Sequence, residues 1–89
     1  MSLPLLRKRI DRLDLQLLRL LSHRAMLALR VGRIKRQRGV PVFDGQREEM
    51  VLRQLARANR GPLSSTSIRR IFKEILRQSR RLESGNRPR

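Results

Sequence analysis

One long apolar stripe constrains this chain more than any other feature. From Leu3 the apolar residues recur in alternating steps of three and four: Leu6, Ile10, Leu13, Leu17, Leu20, then Arg24, then Leu27, Val31 and Ile34. Leu18, Leu21, Ala25 and Ala28 widen the stripe into the face of a core-packing helix. From Leu5 onward no proline or glycine interrupts before Gly32, and Gly39-Val-Pro41 ends the run. The pattern predicts a helix from about Leu5 to Arg38, about 50 Å long at 1.5 Å per residue. With 89 residues the chain is one domain, and nothing else in it is long enough to cover such a stripe. A chain this short buries only about 60% of its unfolded surface, so a monomer would be marginal. Two copies packed against each other would cover the stripe, and a homodimer is expected.

Gly39 to Asp44 reads as a short connection containing Pro41. Asp44 suits the N-cap of a second helix whose apolar side is Met50, Val51, Leu55 and Ala58. Asn59-Arg-Gly-Pro62 is a strong stop. Ser64 or Ser65 can cap a third helix, with a stripe of Ile68, Ile71, Phe72, Ile75, Leu76, Ser79 and Leu82. The expected architecture is all-α, with a long, a short and a medium helix in one domain over residues 1–83. Residues 84–89 are polar and rich in helix breakers, and a disordered tail is expected there.

The charge is extreme, with 23 Lys and Arg against 7 Asp and Glu and a formal net charge of +16. Such a balance first suggests nucleic acid. Phe43 and Phe72 are the only aromatic residues, so there is little to stack on bases, and no zinc-finger spacing is present. An arginine-heavy composition also follows from a GC-rich coding sequence. The charge therefore decides only that the ligand is an anion. Cysteine is absent and His23 is the single histidine, so neither disulfides nor a metal site is expected. The opening Met1-Ser-Leu-Pro-Leu-Leu-Arg7 has no long apolar run, which argues against a secretory signal or membrane span; a cytoplasmic location is expected by default.

Polar residues on the apolar stripes carry the functional information. Arg24 holds a core-facing position, and the residues one turn away, Leu20, Leu21, Leu27 and Ala28, are all apolar. A buried guanidinium is costly unless paired. It can snorkel to water, meet an acid from another helix, or await an anionic ligand. Lys35 closes the same face. On the third helix Ser79 interrupts the stripe, and Glu83 lies one turn later on the same side. The second helix opens Asp44-Gly-Gln-Arg47-Glu48-Glu49, where acids favour the helix N-terminus and Arg47 opposes it. A helical bundle could collect Arg24, Lys35, Arg47, Ser79 and Glu83 around one pocket. Arginine suits carboxylates there because its planar fork gives bidentate hydrogen bonds.

Five segments resemble the helical chorismate mutase family: Leu6-Arg-Lys-Arg-Ile-Asp-Arg-Leu-Asp14, Leu17-Leu-Arg-Leu-Leu-Ser-His-Arg24, Val31-Gly-Arg-Ile-Lys35, Pro41-Val-Phe-Asp-Gly-Gln-Arg-Glu48 and Ile71-Phe-Lys-Glu-Ile-Leu-Arg-Gln-Ser79. The resemblance spans residues 5–83. It implies three helices per chain, an intertwined homodimer with two active sites, and rearrangement of chorismate to prephenate in aromatic amino-acid biosynthesis. It also implies the residue roles. Arg24 and Ser79 would bind substrate carboxylates, and Arg7 would reach in from the other chain. Lys35 would contact a carboxylate and the ether oxygen. Glu48 and the backbone near Asp44 would hold the ring hydroxyl, with Arg47 reinforcing the charge. Val31, Val51 and Leu76 would supply apolar walls. Such domains are often fused to, or associated with, other aromatic-pathway enzymes.

A Claisen rearrangement is unimolecular, so the resemblance implies that these residue types suffice and no cofactor is expected: the enzyme holds a dianion in its compact reactive shape. Donors aimed at the ether oxygen, where negative charge grows, favour the transition state. Two positions depart from the family pattern. Glu83 stands where many relatives have Gln, and a carboxyl donates only when protonated, so activity should fall as pH rises. Arg80 stands where relatives often have an apolar residue; it either faces solvent or adds a cation near the pocket. An isochorismate-pyruvate lyase of the same fold is the nearest alternative. A non-catalytic, basic nucleic-acid-binding dimer is the alternative from another class, and it leaves Arg24 and the Ser79/Glu83 pair unexplained.

Overall fold

The structure, a computed structural model, describes residues 2–85. Three helices follow one another: α1 Leu3–Arg38, α2 Gly45–Ala58 and α3 Ser65–Glu83. The long, short and medium order matches the reading of the sequence.

Helix α1 begins two residues earlier than the apolar periodicity indicates. Ser2 caps it, its hydroxyl accepting from the Leu5 N–H at 3.3 Å, and Pro4 sits in the first turn, where its missing N–H costs nothing. At the other end Gly39 adopts φ 66°, the left-handed conformation that closes a helix and favours glycine. The 36 residues give a rod of about 54 Å, matching the molecule's longest dimension of 55 Å. Asp44 caps α2 by accepting from the Arg47 N–H at 3.0 Å. Of the two serines that could cap α3, Ser64 does so, accepting from the Ser67 N–H at 3.0 Å. Ser84 and Gly85 form the turn that ends α3, their N–H groups donating to the Arg80 and Leu82 carbonyls. Thus the first two residues of the expected tail are ordered as a helix cap, while residues 86–89 lie outside the described residues.

Helix α3 packs against both others, on the C-terminal half of α1 and along α2, and holds those two apart. Burial is sparse. Ala28, Leu52 and Leu76 are the buried apolar side chains among the described residues, and no large side chain is fully enclosed. The N-terminal half of α1 projects beyond the other helices with its stripe bare: Leu13, Leu17 and Leu20 are 56%, 57% and 66% exposed. A lone chain with so little core lacks the apolar burial that offsets its ordering entropy. No helix among the described residues is long and apolar enough to cross a membrane.

Candidate active site

The space that α3 leaves between α1 and α2 is a cavity of about 280 Å³. Helix α1 contributes Arg24, Val31 and Lys35; the α2 segment contributes Asp44, Arg47, Glu48 and Val51; α3 contributes Leu76, Ser79 and Glu83. Every residue singled out for the site therefore lines one cavity, except Arg7. That residue lies 17 positions before Arg24 on the same straight helix, about 25 Å away at 1.5 Å per residue, and is exposed.

Arg24 is half-buried, and its Nη1 donates to the Ser79 hydroxyl. Ser79 in turn donates to the Ile75 carbonyl at 2.9 Å, which turns its lone pairs toward the guanidinium. Of the three readings open for Arg24, snorkelling is excluded. No acid from another helix takes it either; its partner is a neutral hydroxyl. The remaining donors of its fork are available to an anion.

Lys35 is held twice. Its ammonium donates to the Val42 carbonyl at 2.8 Å and lies 2.7 Å from Glu83 Oε1. The Lys35 and Glu83 side chains are only 20% and 13% exposed, so water screens the pair weakly. The contact lacks the angles of a directed hydrogen bond, and Oε1 of Glu83 has no hydrogen-bond donor. The cation cluster is thus partly neutralised within the chain by Glu83.

Two features that place this site escaped the reading of the sequence. Gly32, the single glycine of α1, lets the last turn of α3 lie directly on the helix backbone: a Cβ there would meet the Glu83 Cα at 2.5 Å and its carbonyl carbon at 2.8 Å. Its signal was available, because a mid-helix glycine costs about 1 kcal/mol relative to alanine and calls for a packing reason. Arg36 reinforces the approach by donating to the Glu83 carbonyl at 2.6 Å. The second feature is the ion pair of Arg80 with Glu48, in which the Arg80 Nη1 lies 2.5 Å from Glu48 Oε1. Neither free in solvent nor inside the cavity, Arg80 stands behind its α2 wall.

The chain resembles several known proteins. It is 42% identical over 87 residues to the bifunctional chorismate mutase/prephenate dehydratase of Pseudomonas aeruginosa, covering 92% of this chain and 24% of that protein. The protein of the same description from Aquifex aeolicus is 37% identical over 75 residues, covering 80% of this chain and 21% of that protein. The chain therefore spans about a quarter of the length of these curated relatives. The solved chorismate mutase of Thermus thermophilus (Form II) superposes with a TM-score of 0.89 at 42% identity, covering 90% of this chain and 91% of that one. The family model described as chorismate mutase type II matches residues 6–84, and the chain belongs to that family.

Proposed function

We propose that this protein rearranges chorismate to prephenate, working as a homodimer whose cavities are each completed by Arg7 of the partner subunit. The observation that carries the reading is the convergence of Arg24, Lys35, Arg47, Ser79 and Glu83 on a single cavity between three helices. Its volume of about 280 Å³ suits one small ring compound.

The reaction breaks a carbon–oxygen bond and forms a carbon–carbon bond within one molecule, with no proton or electron entering or leaving. Binding and polarisation are all the protein must supply. Arg24, steadied by Ser79, takes one substrate carboxylate with its free donors. Lys35 takes the other carboxylate and reaches the ether oxygen. Protonated Glu83 is the second donor to that oxygen, and an ionised Glu83 both repels the growing charge and keeps Lys35 to itself. Glu48 and the backbone near Asp44 hold the ring hydroxyl, while Val31, Val51 and Leu76 press the ring into its folded shape. The bare stripe of α1 supports the dimer: a second copy laid along it would bury Leu13, Leu17 and Leu20 and bring a second Arg7 toward the cavity. Family relatives that join a mutase to prephenate dehydratase support an association with another enzyme of the aromatic pathway.

Purified protein incubated with chorismate should deplete its absorbance and accumulate prephenate. Release of pyruvate from isochorismate, with chorismate left intact, would instead assign the lyase reaction.

A further inference from the structure

Behind the cavity wall lies a contact that the reaction as derived does not use. Glu48 lines the cavity from α2, whereas Arg80 on α3 reaches the same carboxylate from the opposite side. The ion pair is 2.5 Å long, with side chains 20% and 32% exposed. The Arg80 guanidinium also lies 5.3 Å from the centroid of the Phe43 ring, within cation–π range. Phe43 directly precedes Asp44, the cap of α2. Arg80 is therefore gripped by the α1–α2 connection on one side and by α2 on the other.

We propose that Arg80 is a positioning residue that pins the Glu48 carboxylate at the cavity wall as acceptor for the ring hydroxyl of the substrate. The proposal rests on the mutase reading given above. Glutamate has a flexible side chain, and Arg47, Lys35 and Arg24 line the cavity itself, whereas Lys73 and Arg77 lie with Arg80 along the outer face of Glu48. Released from Arg80, the carboxylate would be free to turn inward toward the cavity cations, into the space that the substrate carboxylates occupy, or outward, away from the ring hydroxyl. The pair prevents this in two ways. It fixes Oε1 and leaves Oε2 to accept from the hydroxyl. It also offsets a negative charge that would repel a dianion, and partial burial makes that offset stronger than for an exposed pair. Specificity for a hydroxylated ring then depends on a residue that never touches it.

The test compares Arg80→Met, which keeps an aliphatic stem on Phe43, and Arg80→Lys, which keeps a charge, with the parent dimer. Wild-type turnover of chorismate is measured first, and its absence would remove the mutase reading and this proposal together. Given that turnover, Arg80→Met should lower kcat/KM for chorismate about tenfold, as expected for weakening one hydrogen bond to a charged group. Arg80→Lys should recover part of the loss. In a Glu48→Gln background, Arg80→Met should change efficiency by less than about twofold, because the two residues act as a unit. On a chorismate analogue lacking the ring hydroxyl, which is still a dianion, Arg80→Met should lose clearly less efficiency than on chorismate. Equal losses on both substrates, additive effects with Glu48→Gln, or no loss on chorismate would each overturn the positioning role while leaving the mutase reading standing.

Discussion

Lys35 and Arg24 reach the cavity with unequal freedom, and this difference shapes what their removal does. Arg24 donates to a neutral hydroxyl, so most of its hydrogen-bonding capacity awaits an anion. Lys35 is engaged by Glu83 and the Val42 carbonyl, so a substrate must compete for it. Deleting a charged donor aimed at the developing charge costs about 2.7–4 kcal/mol of transition-state stabilisation. Lys35→Ala should therefore lower kcat/KM by about 100- to 1000-fold, and Arg24→Ala, which leaves a substrate carboxylate without its partner, should also lower it by orders of magnitude, with helical circular dichroism unchanged in both. Near-normal turnover in either variant would remove that residue from the site. Glu83 makes a separate prediction. In the proposed mechanism a protonated Glu83 donates to the ether oxygen whereas an ionised one holds Lys35, so activity of the parent should fall as pH rises. Glu83→Gln donates at any pH and should flatten the profile. A parent profile already flat would mean that Glu83 does not act on the ether oxygen. At this scale the sequence was informative where a side chain opposed its surroundings, as Arg24 does among leucines. It was silent on the contact between Arg80 and Glu48, because residues 32 positions apart meet only once α2 and α3 are packed.

Helix α3 sets the geometry of the site by lying on Gly32 at one end and against α2 along its length. Gly32→Ala separates local preference from packing. Helix propensity alone favours alanine by about 1 kcal/mol. The added Cβ, however, would strike the Glu83 backbone, and backbone cannot swing aside as a long side chain can. Overpacking of this kind costs about 1–3 kcal/mol, and it pushes Glu83 away from Lys35. The variant should melt at a lower temperature than the parent and lose activity; a raised melting temperature would show that the approach is looser than described. Ser64→Ala is the complementary control, since it removes the cap of α3 far from the cavity and should cost about 1 kcal/mol in stability with kcat/KM retained. The three helices were legible because the apolar spacing holds over many turns and the caps Asp44 and Ser64 follow clear breakers. The early start of α1 was not, because Pro4 reads as a breaker until Ser2 is seen to cap ahead of it.

The molecule as a whole is a rod with a small cluster of helices at one end, and its unpartnered leucines are its largest apolar feature. The length of the stripe and the shortage of other covering elements made a second copy readable from sequence, whereas the crossing of two such rods depends on side-chain packing that periodicity does not encode. If the dimer holds the fold together, the melting temperature must rise with protein concentration, and Leu17→Glu should abolish both the cooperative transition and the activity. In the proposed dimer Arg7 would join the assembly to the chemistry, since it lies about 25 Å along α1 from the cavity of its own chain. Mixing two inactive variants tests that composite site most directly. Arg7→Ala and Arg24→Ala homodimers should each be nearly inactive. Unfolded together and refolded as an equimolar mixture, they should form heterodimers with one intact cavity and regain about a quarter of parental chorismate turnover, as random pairing of symmetric dimers requires. A mixture no more active than its components, or an Arg7→Ala homodimer with full activity, would contradict the account.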